Sequence, residues 1–292
     1  RRHRCAPDDD RVRGLVDVRS AHARDAQFAP ARESRFEQNR RDVAQFVRLD
    51  QCRRFLRLRL HERLDGPRFL REYDVAPQEI PPLLTRAGAA FERRVTDEVR
   101  QHFPVHDFAA EAPPPRERQP NNDQVIDTAQ SLPPGDTIIL LQPRLQAEIA
   151  GWLMTGDVDL LRMERDASGT LRILIADMKS STTAKVEHRL QVAFYRYILD
   201  QVLDEADITR APTEMAILYR GEAAAIASVN RLVPTGAGER SAEVAGQFLE
   251  AERLFGTTSA LLERVPDPEA YLNAVSELVT GERSLARRVI ST

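Results

Sequence analysis

Residues 151–195 constrain the fold more than any other part of the chain. They read GWLMTGDVDLLRMERDASGTLRILIADMKSSTTAKVEHRLQVAFY. Trp152 to Met163 is rich in apolar residues and carries carboxylates at Asp157 and Asp159. Leu171 to Asp177 is a nearly continuous apolar run that ends in Asp-Met-Lys. Between them, Asp166-Ala-Ser-Gly-Thr170 supplies turn residues, so the two runs predict a β-hairpin. A three-residue loop, Ala167 to Gly169, puts Gly169 at the left-handed position such loops need. In that register Asp159 faces Asp177 across the ladder. Lys179, two residues further on, points to the same side of the sheet.

Directly opposed carboxylates hold their Cβ atoms roughly 5 Å apart and repel unless a cation lies between them. A hard divalent ion with oxygen ligands, Mg²⁺ or Mn²⁺, suits such a pair. Lys179 beside that ion would orient a water and help deprotonate it for attack on a phosphodiester. The chain has 42 basic residues, and only Lys179 and Lys185 are lysines. Where Arg is written almost everywhere, a Lys at this strand end invites a chemical reason, because Arg does not act as a proton carrier. The plain alternative is a surface hairpin with scattered charges, since a bare Asp-x-Lys is a weak motif.

The neighbouring residues add to it. Gly156-Asp-Val-Asp159, then Asp177-Met-Lys179, then Gln191-Val-Ala-Phe-Tyr195 resemble the PD-(D/E)XK nuclease superfamily, and within it the RecB-like branch with its Q-x-x-x-Y helix. Gly88-Ala-Ala-Phe-Glu92 resembles the family's first-helix motif, and the resemblance spans residues 43 to 220. Val158 replaces the proline of the superfamily's name, and Glu92 stands where many members of the branch carry a metal-binding histidine. The resemblance implies a restriction-endonuclease-like α/β fold, a mixed central sheet flanked by helices. It implies Asp159, Asp177 and the Met178 carbonyl as metal ligands, with Glu92 for a second ion or a metal water. Lys179 then orients the nucleophile, and Gln191 and Tyr195 position DNA or water. His188 shares their helix face; Gln142 is a candidate to line the nucleic-acid groove, though no motif points to it.

Composition bounds the rest. Apolar residues make up 42% and charged ones 30%, ordinary for a soluble domain with a full core. No apolar run reaches the roughly 18 residues of a membrane span, and no secretory leader is legible, so a cytoplasmic location is expected. Cys5 and Cys52 are too few for a disulfide framework or for the four thiolates of an iron–sulfur cluster, which some relatives carry. The expectation is Mg²⁺ or Mn²⁺ and no cluster. In residues 1–72, 19 Arg face 12 Asp and Glu, while the whole chain carries −3. That surplus suits a basic surface for phosphates, or equally an Arg-rich solvated one. Arg53, Arg54 and Arg57, on a helical stretch from Asp42, are the candidates for DNA contact.

Along the chain, residues 1–41 read as a disordered or peripheral Arg-rich segment, 42–225 as the nuclease domain, and 226–292 as a helical extension before a further domain. Pro77 to Pro82 reads as a linker, and Thr85 as the cap of a helix to His102. On that helix Glu92 faces inward and needs a metal or an Arg partner. Gln124 to Leu132 reads as a short helix, and Thr137–Leu141 and Leu145–Ala150 as strands. Glu214–Tyr219 reads as the strand that closes the sheet. Pro234 to Ser241 lacks the spacing and lysine of a phosphate loop and reads as a turn. Everything from Ser241 on, SALLERV included, reads as helical. The expected activity is a metal-dependent DNase in DNA repair, recombination or defence, linked to a helicase. A non-catalytic nucleic-acid-binding module acting with a motor protein is the rival, and an RNA-directed enzyme a third reading. Substrate strandedness, polarity, exo- or endonuclease action and oligomeric state leave no mark in the sequence.

Overall fold

The computed structural model describes residues 37–39, 46, 53, 56–60, 82–109, 118–222, 239–279, 284–286 and 288. The main elements among them are, in order, β1 (Glu37–Asn39), α1 (Pro82–His102), β2 (Val105–Asp107), α2 (Asn122–Ser131), β3 (Thr137–Leu141), β4 (Arg144–Ile149) and β5 (Trp152–Asp157). They continue with β6 (Leu160–Arg165), β7 (Leu171–Lys179), α3 (Val186–Glu205), β8 (Glu214–Tyr219), α4 (Glu239–Phe255), β9 (Leu261–Arg264) and α5 (Pro268–Val279). A six-stranded mixed sheet has the order β2-β3-β6-β7-β8-β9, and a smaller one the order β1-β5-β4. Helices cover the large sheet, giving the α/β, restriction-endonuclease-like architecture expected.

β7 is the spine. All of its residues are buried except Arg172 and the rim residue Lys179, as a strand with helices on both faces requires. On one face Leu174, Ala176 and Met178 join Phe91, Val95 and Val99 of α1 and Ala251, Leu254 and Phe255 of α4. On the other, Ile173 and Ile175 join Phe194, Tyr195 and Ile198 of α3. The hairpin register is the expected one, with Arg165 opposite Leu171 and Leu160 opposite Ala176. Gly169 has φ +88°, and the Asp166 carboxylate accepts the Ser168 and Thr170 amides to close the turn. The carboxyl ends of β2, β3, β7 and β8 all lie at one edge of the large sheet.

The segment Trp152–Met163 is not one strand. It divides into β5, in the small sheet, and β6, in the large one. β3–β4 and β5–β6 form one long ribbon, with β3 paired to β6 and β4 to β5. The ribbon bends between the sheets at Gln142-Pro143 and Val158-Asp159. Two hydrogen bonds cross the bend, Gln142 N–H to Asp159 O at 3.1 Å and Val158 N–H to Pro143 O at 3.0 Å. An apolar alternation carries no mark of such a bend, so the sequence pattern runs straight through it. α3 packs against β4, β5, β7 and β8. It is therefore buried nearly all round, Gln191 and Tyr195 included.

Other boundaries differ as well. Pro82 opens α1 rather than ending a linker, a favoured place for a residue without an N–H. Thr85 thus lies within the first turn and does not cap the helix. SALLERV contains β9, which pairs with β8 and is the sixth strand of the large sheet. A four-residue apolar run between helices has too little length for periodicity to decide its type. Glu37–Asn39, inside the segment expected to be disordered or peripheral, form β1 and pair in parallel with β5. The rest of 1–41, both cysteines, and 234–238 of the Pro234–Ser241 turn lie outside the described residues.

The free edge of β4 is closed by side chains. Asn122 donates from Nδ2 to Gln146 O at 2.6 Å and accepts the Gln146 N–H on Oδ1 at 3.1 Å. Asn121 does the same to Arg144 with its main-chain N–H, 2.7 Å, and its Oδ1, 2.9 Å. Two asparagines stand in for a strand.

Candidate active site

Asp159 lies at the bend, immediately before β6. Its Oδ2 accepts the Met178 N–H at 2.8 Å, taking the place of the next main-chain acceptor where β6 has ended. Its own carbonyl accepts the Gln142 N–H. The residue is therefore held at both main chain and side chain, and only 7% of its surface is exposed. Asp177, one residue before Met178, is wholly buried. Its Oδ1 accepts from Gln191 Nε2 at 3.1 Å, and its Oδ2 is 2.5 Å from Lys179 Nζ. A carboxylate so deep in the protein is tolerable only with charge and hydrogen bonds around it. Both are present.

Gln191 and Tyr195 sit one turn apart on α3. The Gln191 amide nitrogen has two hydrogens, and it serves Asp177 with one and the Tyr195 hydroxyl, 3.3 Å away, with the other. Tyr195 is wholly buried, and its ring lies on Gly156. A Cβ at residue 156 would stand 2.8 Å from Tyr195 Cδ1 and Cε1. The glycine of Gly-Asp-Val-Asp is thus the seat of the Q-x-x-x-Y tyrosine, a role sequence reasoning missed. The motif pair itself was the only signal for it. His188, one turn before Gln191, accepts the Lys185 N–H on Nδ1 at 3.2 Å. Burial, with the charge of Lys179 next in weight, pushes its pKa down to about 4. The ring is neutral at pH 7 and carries its proton on Nε2.

Asp177, Lys179, Gln191 and Tyr195 are thus linked by direct contacts, and Asp159 joins them through the Met178 amide. The ladder ends at Leu160 and Ala176, so Asp159 stands just beyond it rather than within it. Glu92 is half-buried on α1, on the side of the sheet opposite α3. A Cβ at Gly88, one turn before it, would lie 3.9 Å from Ser180 Oγ, so this part of α1 does approach the end of β7. Among the described residues, however, no three His, Cys, Asp or Glu side chains converge as a ligand group, and Glu92 is not joined to the aspartates in one. Arg53 and Arg57 are exposed on the helical segment whose Leu56 and Leu60 enter the core. Arg54 lies outside the described residues.

The donor set suits a hard cation. Within a strand, the N–H and C=O of one residue point to the same side. The Met178 carbonyl therefore points the way its N–H does, toward Asp159 and past the start of β6. Two carboxylates and this carbonyl offer oxygen only, and too few ligands for a closed cage. Mg²⁺ accepts such a set, keeping waters and substrate phosphate for its remaining positions.

Residues 69–280 match the sequence profile of the PD-(D/E)XK nuclease superfamily. The chain belongs to that superfamily. Membership implies nuclease hydrolase activity in general, and nucleases of this kind generally use divalent metals such as Mg²⁺. No curated protein matches the chain. Among the described residues, no helix is long and apolar enough to cross a membrane.

Proposed function

We propose that this protein is a metal-dependent deoxyribonuclease of the RecB-like branch, acting with a helicase in DNA repair, recombination or defence. The observation that carries the branch and the site together is the hydrogen bond from Gln191 to Asp177. It ties the Q-x-x-x-Y helix to the D-x-K strand through the acid itself. The intact acid pair and its lysine favour an enzyme over a non-catalytic binding module.

In this reading Asp159, Asp177 and the Met178 carbonyl hold Mg²⁺ or Mn²⁺, and Glu92 holds a second ion or one of its waters. The metal, when bound, polarises the phosphoryl oxygen and neutralises charge that develops during in-line displacement. Lys179, fixed beside Asp177, orients the attacking water and takes up or balances its proton. Gln191 keeps the Asp177 carboxylate turned, and Tyr195 locks Gln191 by its own packing on Gly156. His188 presents a neutral N–H at the rim of the same face.

End-labelled single- and double-stranded DNA, incubated with Mg²⁺ or Mn²⁺ and with EDTA, tests this directly. Cleavage that requires the metal and disappears in Asp177→Ala is expected. The Asp177→Ala protein should remain folded, since removing one of two neighbouring carboxylates relieves repulsion in the metal-free state. Full cleavage by Asp177→Ala would sink the assignment. DNA binding without any cleavage by the unaltered protein would favour the binding-module reading instead.

A further inference from the structure

Four non-glycine residues of the described chain have positive φ: Gln142 at 52°, Ala150 at 51°, Asp207 at 55° and Asp267 at 46°. Three have ordinary reasons. Ala150 and Gly151 make the turn between β4 and β5, Asp207 follows the last turn of α3, and Asp267 precedes α5. Gln142 is different. It lies where the ribbon bends between two sheets, hydrogen-bonded to the main chain of Asp159. A residue with a Cβ gives up about 1–2 kcal/mol in this conformation. Asn and Asp offset that loss through their short side chains, which Gln does not have.

Glycine would make the same bend and the same N–H bond to Asp159 without the strain. The backbone therefore gives no reason for a glutamine here, and the reason must lie in the side chain. That side chain is half-buried and makes no hydrogen bond within the described residues. It stands at the carboxyl end of β3, beside Asp159, at the sheet edge where Asp177 and Lys179 end β7. Ligands of open α/β sheets lie outside the carboxyl ends of parallel strands, and strained residues gather at functional sites.

We propose that Gln142 is a substrate-contacting residue. Its side-chain amide donates to a non-bridging oxygen of the phosphate next to the scissile one, and so sets the register of the DNA strand at the site. This deepens the nuclease reading and rests on it. The contact is neutral, so it releases no counterion and leaves the salt dependence of binding alone.

The test compares the unaltered protein with Gln142→Gly and Gln142→Glu in three measurements: melting temperature, kcat/KM for DNA cleavage with Mg²⁺, and DNA affinity against salt with Ca²⁺ in place of Mg²⁺. Gln142→Gly should melt higher, because the strain is gone. It should also lose about ten- to a hundredfold in kcat/KM, the effect of one hydrogen bond to a charged group. Its salt slope should be unchanged, and Gln142→Glu should lose more, through repulsion of the phosphate. Gln142→Gly that melts higher and cleaves at the normal rate would overturn the contact, and so would losses that merely follow a lower melting temperature. If the unaltered protein cleaves no DNA, the nuclease reading falls and affinity decides alone. A tenfold weaker Gln142→Gly then sustains the contact, and equal or absent binding overturns it.

Discussion

Lys179 sits where an amine and a guanidinium behave differently. It is 2.5 Å from Asp177 Oδ2 and about one-fifth exposed, at the lip of a buried carboxylate. Lys179→Arg keeps the charge, so folding and most DNA binding should persist. Cleavage should fall by about a hundredfold or more, the scale of losing a positioned proton-transfer group, because a planar and always protonated fork replaces a compact amine. Single-turnover rates at saturating Mg²⁺ measure this, and a normal rate would make Lys179 a mere charge balance. Lys185→Arg, exposed at the start of α3, is the control and should cleave normally. Gly156 offers a second test at this scale. In Gly156→Ala the new methyl meets Tyr195 at 2.8 Å, so the ring must shift and its hydroxyl must leave Gln191. A loss of about 1–3 kcal/mol in stability is expected from such overpacking, together with a fall in kcat that persists at temperatures where the variant is folded.

At the scale of elements, the loop between α4 and β9 is pinned by α1. Glu98 accepts from Thr257 Oγ1 at 2.6 Å, Ser259 Oγ at 2.5 Å, and the amides of Thr258 and Ser259 at 2.9 and 3.2 Å. Partial burial alone would raise its pKa, but these donors outweigh burial and lower it. A lowered folded-state pKa stabilises above the unfolded carboxylate range, and that contribution disappears as pH falls through the folded value. Glu98→Gln should therefore lower the melting temperature at pH 7, by the equivalent of about 1–2 kcal/mol for charged hydrogen bonds. It should narrow its deficit near pH 3, and a pH-independent difference would overturn the account. This loop also explains why β9 was hard to read. Its strand identity depends on pairing with β8 and on a remote glutamate, neither of which leaves a local pattern. The β6–β7 hairpin was legible, by contrast, because Gly169 and the apolar run of β7 specify loop and register within a few residues. Asp159, Asp177, Lys179, Gln191 and Tyr195 were legible for the same reason, as they lie close in sequence on consecutive elements. The bend at Gln142 was not. A glutamine at positive φ looks like any other glutamine, and the Val158–Asp159 side of the bend continues an alternating run.

Across the whole molecule, one buried helix joins two sheets, and the acid pair lies where the ribbon passes from one sheet to the other. The basic residues expected to meet DNA lie on the segment that buries Leu56 and Leu60 and exposes Arg53 and Arg57. Changing both arginines to Ala should weaken DNA binding and flatten its salt dependence by about one unit of slope for each phosphate no longer neutralised. Titration of affinity against salt reads this, and an unchanged slope would mean that they only face water. The small sheet owes its intact edge to the two asparagines that mimic a strand along β4. Asn122 does this with one nitrogen and one oxygen, each matched to its opposite on Gln146. Hydrolysis of that amide, the slow spontaneous ageing of asparagine, would put a second oxygen against the Gln146 carbonyl. A donor would become a repulsive acceptor, and the edge would open to other chains. The integrity of the small sheet's edge is therefore tied to the chemistry of a single side-chain nitrogen far from the acid pair in sequence.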